Sequence, residues 1–144
     1  MKVEGFTTQI DLSYTSPGAA STVANTPVKG LGICRSMFCY AGLLGATGGT
    51  LDVYIQTSPD GGTTWVDYAH FTQKAAGAAL THQAFTVSKG GQQTTLTTVG
   101  VGTVPALAVS VLGGDFGDML RVVSVAGAGT SAGAAQILKL FFSG

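Results

Sequence analysis

Apolar residues in this chain recur at every second position and almost nowhere at every third or fourth, and that period constrains the fold more than any other feature. In the run Thr50 to Thr57, Leu51, Val53 and Ile55 alternate with Asp52, Tyr54 and Gln56. On an extended strand the first three face a core and the second three face water or an interface. Gly and Thr fall in nearly every window and weaken any helical alternative. The chain therefore reads as all-β, with candidate strands at Phe6–Tyr14, Val28–Leu44, Thr50–Thr57, Thr64–Thr72, Leu80–Val87, Thr94–Val99, Ala106–Leu112, Met119–Ala126 and Ala135–Phe142. Short runs of this kind, punctuated by Gly, Pro, Asn and Ser, imply an antiparallel β-sandwich or jelly-roll-like fold of about eight or nine strands. The 144 residues suit a single domain, 1–144, with one core.

Within that frame, Ser16–Thr26 and Ala75–Ala79 are compositionally soft and read as loops. Residues 1–27 are accordingly expected to form an N-terminal strand followed by an extended loop, or by an arm that reaches a neighbouring subunit. The last two runs flank Gly127–Gly133 as a C-terminal hairpin. On its final strand Leu138, Leu140 and Phe142 face the core, while Ile137 and Phe141 lie beside Lys139 on the other side. Ile137 and Phe141, with Leu112 and Phe116, are the candidates for an interface. Cys34 and Cys39, read on one strand, point to opposite faces roughly 16 Å apart at about 3.3 Å per residue, too far for a disulfide.

Charge narrows the partners. Only 10% of residues are charged, seven Lys+Arg against seven Asp+Glu, where a soluble domain carries about 25%. Net zero charge leaves little repulsion between copies, so much of the surface is expected to lie against protein. The deficit concentrates in Leu31–Gly49, Ala75–Ala84 and Thr94–Gly114. No two basic residues are adjacent, which argues against nucleic acid as a partner. The apolar stretches Ala106–Leu112 and Ile137–Phe142 fall far short of the roughly 20 residues that span a bilayer, so no membrane partner is expected. Glu4 stands where the apolar region of a signal peptide would begin, which predicts synthesis in the cytoplasm without export.

The sharpest local motif is Ser58-Pro59-Asp60-Gly61-Gly62-Thr63-Thr64-Trp65. Asp60 is placed to accept turn amides, Gly62 to adopt positive φ, and Trp65 to pack back over the turn. Ser58, Asp60, Gly62 and Trp65 match the four defining positions of the Asp-box, S-x-D-x-G-x-x-W, which the segment resembles. In sialidases and related propellers that motif is structural and recurs once per blade, and here it occurs once.

Catalytic signals are weak. Glycosidases need two positioned carboxylates, but Asp60 is explained by its turn, and Asp52 and Asp67 fall on hairpin strands. Asp115 and Asp118 could hold Ca²⁺ between them, yet two carboxylates make a poor site, and a turn is the simpler reading. His70 and His82 fit no metal-ligand spacing with Cys34 and Cys39. With only Arg35 and Arg121 there is no arginine cluster, and no nucleophile elbow or phosphate loop occurs. Neither an enzyme nor a cofactor is expected.

Taken together, Leu51–Trp65, Gly117–Val123 and the closing hairpin to Phe142 resemble the small β-sandwich virion proteins of tailed bacteriophages, the head decoration or cement class. That resemblance implies a homotrimer, made in the host cytoplasm, that binds the lattice of the major capsid protein and stiffens the shell. A second reading is a carbohydrate-binding or adhesin module in which Trp65, Tyr54 and Tyr68 stack on sugar rings.

Overall fold

The computed structural model describes residues 8–15, 20–45, 48–90, 100, 102, 105, 107–113, 115–127 and 135–144. They form nine strands: β1 Thr8–Thr15, β2 Ser21–Ala24, β3 Ser36–Leu44, β4 Leu51–Ser58, β5 Val66–His70, β6 Thr81–Ser88, β7 Ser110–Val111, β8 Met119–Ala126 and β9 Ala135–Ser143. Every pairing is antiparallel, in a four-stranded sheet β1-β9-β3-β6 and a five-stranded sheet β2-β8-β4-β5-β7. Without the two-residue β7, the sheets read 1-9-3-6 and 2-8-4-5. That order, in which the chain crosses between sheets at almost every connection, is a jelly roll.

The alternation seen in sequence builds the core. Met37, Cys39, Ala41 and Leu43 of β3 and Leu138, Leu140 and Phe142 of β9 point inward from one sheet. Leu51, Val53 and Ile55 of β4 and Leu120 and Val122 of β8 meet them from the other. Each of these side chains is within 1% of complete burial, and burying a Leu, Ile, Val, Phe or Met contributes about 1.5–3 kcal/mol relative to leaving it exposed.

Several expectations need correction. The last two runs do not form the expected C-terminal hairpin: β8 pairs with β2 and β4 in the five-stranded sheet and β9 with β1 and β3 in the other, and 128–134 between them lie outside the described residues. Ser21–Ala24 is a strand rather than loop or arm, held at the edge of the five-stranded sheet by β8. Residues 1–7, which include the start of the strand expected from Phe6, and 16–19 of the expected loop or arm lie outside the described residues, as does the strand expected at Thr94–Val99. The expected long strand Val28–Leu44 is broken. Val28 makes one isolated bridge to Leu120, Leu31–Ile33 forms a 3₁₀ turn, and the strand begins at Ser36. Cys34 therefore precedes the strand that carries Cys39, and both cysteines are free. Of the run expected at Ala106–Leu112, the described residues 107–112 supply only Ser110–Val111 as strand.

The largest departure is on β5, whose ladder with β4 shifts register between Ile55 and Gln56. Ala69 pairs with Ile55, but Asp67 pairs with Gln56 and His70 with Tyr54. A bulge inserts one extra residue and so re-aims the side chains beyond it. Asp67 and His70, of opposite parity in sequence, consequently share the outer face of the sheet. Gly100, Gly102 and Leu107 lie against that face, and Tyr54 and Gln56 are buried there.

Candidate functional site

The hairpin between β4 and β5 is fastened from within. The Ser58 hydroxyl donates to Asp60 Oδ1 at 3.0 Å and accepts the Gly62 amide at 2.7 Å. Asp60 Oδ1 also accepts the Thr64 amide at 2.6 Å, and Trp65 Nε1 donates to the Gly62 carbonyl at 3.0 Å. Gly62 has φ 98°, so the backbone favours glycine, and a Cβ there would stand 3.1 Å from Met119 Cε, which would have to shift by a few tenths of an ångström. Hydrogen bonds from Thr64, side chain and then backbone, hold the Asp60 carboxyl below its ordinary range.

Next to this turn lies a polar network. Trp65 is only 6% exposed and carries the Arg121 guanidinium over its ring at 4.6 Å. Arg121 Nε donates to Gln56 Oε1 at 2.8 Å and its terminal nitrogen to the Gly102 carbonyl at 2.9 Å. Burial lowers the arginine's pKa. Gln56 in turn donates from Nε2 to Asp67 Oδ1 at 2.8 Å and to the Gly102 carbonyl at 2.9 Å. Asp67 is 0% exposed, and its Oδ2 accepts the amides of Gly100 and Leu107, each at 2.9 Å. The carboxylate thus satisfies the buried amides of Gly100 and Leu107, beside the backbone bonds from Asp67 to the Gly100 carbonyl and from Gly102 to the Trp65 carbonyl.

One strand pair away, Asp52 and His70 look like two-thirds of a catalytic triad. His70 Nε2 lies 3.0 Å from Asp52 Oδ1, and its ring stacks on Tyr54 with centroids 4.0 Å apart. The nitrogen that would have to activate a nucleophile, Nδ1, instead faces the Leu107 carbonyl at 2.8 Å. Gln73 Nε2 takes the other Asp52 oxygen at 2.6 Å. Burial works against the charge of Asp52, but the hydrogen bonds from His70 and Gln73, with the His70 charge, together hold its carboxyl below its ordinary range. Burial, then the charges of Asp52 and Asp67, raises the Tyr54 hydroxyl pKa. Geometrically this cluster is a second clasp, on Leu107.

The expected interface residues separate into two groups. Ile137 is 52% exposed on the outer face of the four-stranded sheet, and Phe141 shares that face with its ring 5.8 Å from that of Phe38. Leu112 is half-buried against the core. Phe116 is corrected outright: at 0% exposed it sits in the core, 6.0 Å from the Phe142 ring and beneath Lys89 Nζ at 4.5 Å. Glycines and aspartates on both sides disguise it as a loop residue.

As for a cation, Asp115 Oδ1 accepts the Gly117 amide and Asp118 Oδ1 the Gly32 amide, each at 2.7 Å. Among the described residues no group of three or more His, Cys, Asp or Glu comes together as a metal site. The proposed sugar platform is not formed either, because Trp65, Tyr54 and Tyr68 are 6%, 8% and 2% exposed.

No family model matches this chain, and no curated protein matches it in sequence. Among solved structures, one described as "Bacillus endospore appendages form a novel family of disulfide-linked pili" is similar over 94% of this chain and 85% of its own. The identity is 12% and the TM-score 0.45, too slight a likeness to bear on function.

Proposed function

We propose that this chain is a non-enzymatic structural protein, a subunit that works by binding copies of itself and a larger protein lattice. The observation that carries this reading is where the polar side chains go. Asp52, Asp60, Asp67, Asp115, Asp118, Lys74, Lys89 and Arg121 all bond the chain's own backbone or side chains. Apolar Ile33, Leu80, Val109 and Ile137 remain more than half exposed. A chain that fastens its loops with charge and leaves apolar groups outside is built for association rather than turnover.

The finer assignment follows the sequence resemblance: a trimeric decoration or cement protein on the major capsid protein lattice of a tailed bacteriophage virion. Jelly rolls serve viral shells and lectins alike, so the fold leaves a carbohydrate-binding alternative in view. Burial of the three aromatics that would stack on a sugar disfavours it.

Light scattering on the purified chain, followed by immunogold labelling of particles from cells that carry the sequence, tests the proposal. A defined homo-oligomer and gold on the particle heads are expected. A strict monomer that labels no particle and shifts on a glycan array would overturn it.

A further inference from the structure

We infer that β6 is a self-association edge: β6 of one copy pairs antiparallel with β6 of a second copy about a two-fold axis, joining two four-stranded sheets into one of eight. This inference rests on the self-associating reading above and names the surface that reading requires.

The four sheet edges are not equivalent. Native proteins blunt exposed edges with short strands, charges, Pro or bulges. In the five-stranded sheet the edges are β2, of four residues, and β7, of two. In the four-stranded sheet β1 carries Asp11. The remaining edge, Thr81-His82-Gln83-Ala84-Phe85-Thr86-Val87-Ser88, has no Lys, Arg, Asp, Glu, Pro or Gly. It runs unbroken against β3 from Leu43↔Thr81 to Ser36↔Ser88 without a bulge. Among the described residues its backbone makes no bond to another backbone group outside that ladder. Alternate residues of an antiparallel edge strand direct both N–H and C=O outward, so about four residues offer donor and acceptor pairs to a neighbour.

The sequence of β6 is compatible with itself across a two-fold. With Ala84 of both copies opposite each other, His82 falls opposite Thr86, and on the inner side Phe85 falls opposite Gln83. No like charges meet, and the chain as a whole has net charge zero. Beside the edge, a cleft of about 170 Å³ opens between β6 and β7, lined by Phe71, Phe85, Val109 and Val111. A strand added to β6 would roof that cleft and cover Val109, which is 56% exposed. Backbone pairing gives the contact its affinity and the cleft its side-chain fit, the division used in strand addition generally. A two-fold contact is isologous and closes on itself; if the subunit is a trimer, it joins neighbouring trimers.

Hydrogen exchange at increasing protein concentration, read together with mass by light scattering, tests the pairing. Exchange at Thr81–Ser88 should slow at least 10-fold between dilute and concentrated wild type, with mass doubling in step. Ala84→Lys with Thr86→Lys, both exposed positions, should keep the Trp65 near-ultraviolet signal and remove the doubling. The exchange measurement on the wild type needs no variant. Self-association with β6 exchange independent of concentration would overturn the edge while sparing the structural-protein reading. Open-ended polymers with protection at Thr8–Thr15 would replace the two-fold with β6-to-β1 pairing. A strict monomer at every concentration would overturn both.

Discussion

The two sheets treat their outer faces in opposite ways. The five-stranded sheet hides its outer face beneath its own chain, fastened by Asp67, Gln56, Arg121 and the His70–Asp52 pair. The four-stranded sheet carries Tyr40, His82, Ile137 and Lys139 on its outer face, with Leu80 beside it and no comparable clasp among the described residues. Among the described residues charged side chains fasten the cover of the first face, while Ile137 on the second is 52% exposed.

If that contrast is right, the largest loss of stability comes from the closed face. Asp67→Ala leaves the Gly100 and Leu107 amides buried without an acceptor, at about 1–3 kcal/mol each. Denaturant unfolding should show a loss of about 3 kcal/mol. Asp67→Asn keeps one acceptor oxygen but turns an NH₂ toward the Gln56 NH₂, and should cost about half as much. A loss below about 0.5 kcal/mol for Asp67→Ala would mean that Gly100 and Leu107 hold their places without the carboxylate.

The clasp was hard to read in advance for a physical reason. Period-two alternation assigns Asp67 and His70 to opposite faces, and only the bulge on β5 brings them to one. Glutamine and tyrosine at 56 and 54 suited a wet face equally well, and nothing local records that Gly100, Gly102 and Leu107 return to bond side chains on that face. Where local chemistry decides, the sequence was sufficient: the alternation of β4, the inward Leu138, Leu140 and Phe142, and the turn from Ser58 to Trp65 all follow from residue type and spacing. β2 was missed because Ser-Thr-Val-Ala has strand propensity only once β8 offers a ladder.

The hairpin at the rim of the closed face should give a smaller loss. Asp60→Ala removes the acceptor for the Thr64 amide and the partner of the Ser58 hydroxyl. The melting temperature should fall by less than in Asp67→Ala, because the turn is exposed and water can replace the bonds. An unchanged melting temperature would remove Asp60 from the turn's support.

Acid should open the closed face first. Asp52 is held below its ordinary 3.8, so its ionised form is favoured by folding. Its contribution is complete above that ordinary value and is lost as pH falls through the lower folded value. Stability should therefore be insensitive to this group from neutrality to about pH 5 and decline below about pH 4. Asp52→Asn should flatten that decline. If wild type and Asp52→Asn lose stability in parallel below pH 4, the Asp52–His70 contact is not part of the clasp.

The smallest effect on stability, and the sharpest on the contrast itself, belongs to the open face. Ile137→Ser changes a residue that is 52% exposed and whose neighbours across the ladder, Ser13 and Gly42, offer it little packing. Stability of the isolated subunit should move by no more than about 0.5 kcal/mol, as at most exposed positions. If the open face is covered by another copy or by a lattice, the same substitution removes apolar area from that contact, so assembly should weaken while the fold does not. Parallel denaturation and light scattering separate the two quantities. A large loss of stability with association unchanged would show that Ile137 is packed by its own chain, and the difference between the two faces would vanish at that position.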